Sequence, residues 1–186
     1  MFINVPAFII LSTLLLALSI VIGCCYHRVA KYALPLFLMF AIVESIFVGI
    51  ICSQTNPSIV LTAAGITTVI VITLTIYACK HIPHNLGYTK NDLTGCGPYL
   101  AVMCAVLLVM GISMIFWTSP ILDLIYSSIV AMLFCVYLVF DTQKVLGQFQ
   151  NEYTLDDTYL AALFLYTDII QIFIRLVRIL DTLQNN

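Results

Sequence analysis

The chain has 186 residues, 62% of them hydrophobic and 9% charged, with a formal net charge of -2. A soluble domain carries about 25% charged residues, so this composition excludes a single water-soluble core. Seven Lys and Arg are scattered along the chain and form no basic face, which excludes nucleic acid as a partner.

Charge is confined to short breaks. Residues 1–26 carry none, 32–79 carry only Glu44, 93–122 and 124–140 carry none, and 158–174 carry only Asp168. A bilayer core takes about 20 apolar residues per helix. The expectation is an all-α polytopic membrane bundle of about six helices, forming one domain over residues 1–186.

Span A covers about 3–25 and closes at "YHRVAK". With no basic leader and a long apolar run, it reads as a span and not as a cleaved signal. Span B covers about 32–53 and ends at "SQTNP", where Asn-Pro marks a turn. Span C covers about 57–79, D about 94–117, E about 120–147 and F about 155–181. A "TLDD" capping-box signature begins at Thr154, just before span F.

The basic loop residues are Arg28 and Lys31 between A and B, Lys80 and Lys90 between C and D, and Lys144 between E and F. Basic loops face the cytosol, so these three are expected there, with the B–C and D–E turns on the luminal or outer side. Arg175 and Arg178 disturb the pattern: six straight spans put the C-terminus outside, whereas two arginines argue for the cytosol. A re-entrant span F would reconcile the two. Both arginines otherwise read as side chains that snorkel from a helix end to the interface.

The seven cysteines (24, 25, 52, 79, 96, 104 and 135) show no disulfide framework and read as buried thiols acting as small hydrophobes. His81-x-x-His84 encloses Pro83 and has no acid or cysteine beside it, a poor zinc site.

The informative residues are the charges set in apolar context: Glu44, Asp141, Asp168 and Arg175. An ionised group at mid-bilayer costs a few kcal/mol and usually faces a partner or a water-filled cavity. Asp168 lies about 14 residues past Thr154, roughly 21 Å along a helix. Asp141 lies nearer the turn on the neighbouring antiparallel helix. Counting lets the two meet only if span E runs deep or span F is irregular. Two carboxylates in one dry site share a proton, and once bare they offer hard oxygens to Ca²⁺. Glu44 either lines the interior or sits there as an isolated protonated carboxyl. An orientation toward the bundle and away from lipid is expected.

"VFDTQKVLG" followed by "EYTLDDTYLAALFLYTDIIQIF" resembles the transmembrane Bax inhibitor motif family, closest to its lifeguard branch. "GCCYHRVAKYALPLF", "VESIFVGI" and "AAGITTVIVITLTIYACK" support the likeness, which runs in order over nearly the whole chain. The resemblance implies a pH-sensitive Ca²⁺ leak or channel-like regulator that inhibits apoptosis, with Asp141 and Asp168 as the pH-sensing latch. Ca²⁺ would be the permeant ion and no cofactor is implied. Endoplasmic reticulum or Golgi membrane is the expected location, with plasma membrane as the alternative. A cation position of some members falls nearest His27 and Arg28. The family usually has seven helices; span A matches its second, so the chain reads either as a shortened member or as an incomplete chain. Phe164 replaces the Asn of an "LNLY" pattern, and "QFQNEY" replaces basic residues of the last loop.

Two other functions compete. Paired intramembrane aspartates also suit an aspartyl protease, but those enzymes resemble Gly-x-Gly-Asp at the second acid, where Asp168 follows Leu-Tyr-Thr; the expectation is not an enzyme. The stronger rival is a non-conducting protein that binds other membrane proteins of the cell-death pathway.

Overall fold

A computed structural model describes residues 33–80, 96–114, 116, 119–148 and 155–185. Five helices lie among them: α1 Ala33–Gln54, α2 Pro57–Lys80, α3 Gly97–Ser113, α4 Pro120–Gln148 and α5 Leu155–Asn185. They correspond to spans B to F. Span A, His27, Arg28, Cys24, Cys25 and the His81-x-x-His84 stretch lie outside the described residues. α1, α2, α4 and α5 each contain a window long and apolar enough to cross a membrane. The all-helical membrane architecture expected from composition is the one observed.

The turns on the basic-free face share a device. Asn56 Oδ1 accepts from Ser58 N at 3.1 Å, and Pro57 opens α2. Ser119 Oγ likewise accepts from Leu122 N at 3.2 Å, and Pro120 opens α4. In each, a polar cap satisfies an orphan amide, and the proline that follows has no N–H to satisfy. Replacing Asn56 by Ala should therefore cost about 1 kcal/mol, read as a lower thermal midpoint in detergent.

Within α2, hydroxyls have no water to bond and turn inward instead: Thr62, Thr67, Thr68 and Thr73 each donate to the carbonyl four residues back. α3 is shorter than the expected 94–117. It spans 17 residues, with a proline in its first turn, or about 26 Å. Ser113 Oγ donates to Met110 O as the helix ends, and Phe116 N donates to Ser113 O in the turn beyond.

α5 is the central helix and packs against α1, α2 and α4; α4 also carries α2 and α3. Leu160, Leu163, Ile172, Ile174 and Val177 are wholly enclosed. α1, α2 and α3 instead turn large apolar side chains outward, including Met39, Leu61, Val69, Val102 and Val109, as a lipid-facing ring does. Cysteine burial differs from expectation. Of the described thiols only Cys104 is buried; Cys52, Cys96 and Cys135 are half-buried and Cys79 is exposed. Lipid makes exposure inexpensive for a small apolar group.

α5 runs as one uninterrupted helix of 31 residues, so the re-entrant alternative is wrong. Its end meets the start of α2 around a cavity of about 350 Å³ lined by Ser58, Ile59, Thr62, Leu180, Leu183 and Gln184. The C-terminal end of α5 therefore lies on the face of the basic-free turns. In a cysteine-free background, Ser53→Cys, Phe116→Cys and Gln184→Cys should all react with an impermeant thiol reagent from the luminal or outer side only. Reaction from the cytosol would overturn the orientation.

Candidate functional site

Four polar residues of α5 recur at helical spacing: Asp168, Gln171, Arg175 and Arg178. Intervals of three and four residues set them on one face, a stripe about 15 Å long. All four are buried. The helices packed around α5 supply their counterparts.

At one end the carboxyl groups of Asp168 and Asp141 lie close enough to act on each other. Neither route foreseen for this contact is the one taken. Asp141 lies seven residues before the end of α4 and Asp168 thirteen residues into α5. The helices are simply staggered, with the start of α5 overhanging the end of α4. Asp168 Oδ2 is buried and has no hydrogen-bond partner among the described residues. The titratable groups near this pair come from two helices. Lys144 lies near Asp141 on α4, while Tyr137 and Cys135 of α4 and Cys104 of α3 sense Asp168.

One turn further along α5, Gln171 Nε2 reaches Glu44 Oε1 of α1 at 3.5 Å. Glu44 is fully buried, facing the bundle as expected. Its neighbour Ser45 shares a 3.3 Å hydrogen bond with Tyr166, and the Tyr166 ring meets Phe37 edge-on at 6.4 Å. These contacts fix α1 against α5 and hold Glu44 toward the stripe.

At the far end, the Arg175 guanidinium lies 5.3 Å from the centre of the Tyr126 ring. The Tyr126 hydroxyl donates to Leu107 O of α3 at 3.3 Å. Arg178 Nη2 pairs with Asp123 Oδ2 at 2.6 Å. The snorkelling expected of the two arginines is thus wrong. Both are buried in the bundle, Arg175 at 2% exposure, because α4 offers a ring face and a carboxylate at matching height. Neither arginine counts as a loop charge, which removes their conflict with the topology.

Asp141, Asp168 and Glu44 all fall on this internal column, but Glu44 joins Gln171 and not the aspartate pair itself. Sequence reasoning missed Gln171, Asp123 and Tyr126. The first was legible from its three-residue spacing after Asp168. Asp123 was not, because it lies beside a turn, where a charge is ordinary. No group of three or more His, Cys, Asp or Glu residues able to hold a metal occurs among the described residues.

Together these features define a multi-pass helical membrane protein, in contact with the lipid bilayer, whose interior carries a column of acids, an amide and arginines. The family model Bax1-I, described as inhibitor of apoptosis-promoting Bax1, matches residues 1–186, and the chain belongs to that family. It is 34% identical over 158 residues to Protein LIFEGUARD 4 of Arabidopsis thaliana, covering 83% of this chain and 59% of the relative. It is 32% identical over 156 residues to BI1-like protein of the same plant, covering 83% and 57%. It is 30% identical over 176 residues to Protein lifeguard 3 of Homo sapiens, covering 91% and 54%. The chain thus spans a little over half the length of these relatives.

Proposed function

We propose that this chain is a proton-controlled Ca²⁺ leak or channel-like regulator of an internal membrane, acting to restrain apoptosis, in the endoplasmic reticulum or Golgi or else at the plasma membrane. It is not read as an enzyme. The observation that carries the proposal is that the packing of α4 on α5 brings Asp141 and Asp168 close enough to act on each other. A carboxylic acid donating to a carboxylate is a charge-assisted hydrogen bond, about twice as strong as a neutral one. With one proton between them the pair ties α4 to α5. A second proton makes both groups neutral and the bond ordinary; loss of the last proton leaves two like charges that repel. The tie is therefore tightest with a single shared proton. Acidification from that state loosens it and admits Ca²⁺, while a bare pair is itself a hard oxygen site for that ion. Ca²⁺ flux through the purified chain in liposomes tests this reading.

The second reading is a non-conducting protein that engages other membrane proteins of the cell-death pathway. Its supporting observation is the far end of the column, where Arg175, buried over the Tyr126 ring, places a cation in the way of a permeating one. Protein that folds into liposomes and passes no Ca²⁺ at any pH would favour it.

A further inference from the structure

Glu44 and Gln171 are both fully enclosed, one on α1 and one on α5. Their single mutual contact uses Glu44 Oε1 and Gln171 Nε2. Two oxygens remain, Glu44 Oε2 and Gln171 Oε1, each buried and each without a hydrogen-bond partner in the protein. Asp168 Oδ2, three residues before Gln171 on the same face, is a third such oxygen. A buried acceptor left unsatisfied costs about 1–3 kcal/mol, and such groups in a native protein point to a water or ion that completes them. All three are hard oxygen atoms, the donor type that Ca²⁺ takes.

Resting on the conduction reading above, we infer that Glu44 and Gln171 form a transient Ca²⁺ subsite inside the bundle, next to the aspartate pair along the column. Its ligand set is sparse, with one carboxylate and one amide oxygen. Few charged ligands give weak Ca²⁺ binding, and a conducting site must release its ion as readily as it takes it. Arg175, four residues beyond Gln171 and held over Tyr126, sets a positive charge on the far side. That charge shortens the ion's stay and marks where the subsite ends.

The test is Ca²⁺ and K⁺ flux, measured separately, through the full chain in liposomes. Glu44→Gln keeps the size and removes the charge; it should cut Ca²⁺ flux roughly tenfold and K⁺ flux much less, because divalent affinity follows ligand charge. Gln171→Glu acts in the opposite sense. A second carboxylate should hold Ca²⁺ more tightly, so that flux saturates at a roughly tenfold lower Ca²⁺ concentration. Opposite shifts from two near-isosteric changes cannot both arise from misfolding. If wild type conducts and both variants keep its Ca²⁺ saturation and Ca²⁺-to-K⁺ ratio, the subsite is overturned while the conduction reading stands. A wild type that passes no Ca²⁺ removes both.

Discussion

Asp123→Ala should destabilise the protein by about 3–5 kcal/mol, the usual effect of deleting one partner of a buried ion pair. The Asp123 and Arg178 side chains are 10% and 8% exposed, and their contact at 2.6 Å is short and charge-assisted. Deleting the carboxylate strips that contact from a guanidinium which cannot shed its proton, and so leaves a poorly compensated charge in the bundle. At about 2–4 °C per kcal/mol for a chain of this size, the thermal midpoint in detergent should fall by roughly 10 °C. Arg178→Ala should do comparable damage by stranding Asp123. The paired change Asp123→Leu with Arg178→Met should recover much of the loss, since a buried ion pair replaced by apolar groups is often neutral. Additive single and double effects would show that the two groups do not act as a unit.

Asp141→Asn and Asp168→Asn should each flatten the pH dependence of Ca²⁺ flux. An amide keeps the shape of the carboxyl but cannot exchange its proton, so the two-step titration of the pair is lost when either member is replaced. The double variant should add little to either single one, because the gate needs both members. Lys144 acts on the pair from α4, and Tyr137, Cys135 and Cys104 feel the charge of Asp168 from α4 and α3. Lys144→Met should displace the pH profile without abolishing it, which separates a neighbour of the gate from the gate itself.

Much of the fold is legible in the sequence. The bounds of α1, α2 and α4 follow the breaks at "SQTNP", "KHIPHN" and "TSP", because an apolar run in lipid ends only where caps and prolines let the backbone leave the helix. The pairing of Asp141 with Asp168 was half legible. Apolar context singled out both residues, but depth was counted from the turn as though neighbouring helices ended level. The stagger of α5 past α4 is a packing outcome that no local pattern carries. The arginines were misread for a related reason. Arg175 and Arg178 look like helix-end residues in a list of charges, and only the height of Tyr126 and Asp123 on α4 makes burial affordable. Gln171 was overlooked because an uncharged amide does not stand out, although its spacing from Asp168 was there to be counted.

The most direct measurement is Ca²⁺ efflux from liposomes holding the purified wild-type chain, followed as the pH is lowered stepwise from neutral, beside Asp168→Asn in matched vesicles. The aspartate-gate account predicts a wild-type efflux that rises on acidification and an Asp168→Asn efflux that stays nearly level. Wild-type efflux indifferent to pH, or an Asp168→Asn profile that follows the wild type, would contradict it.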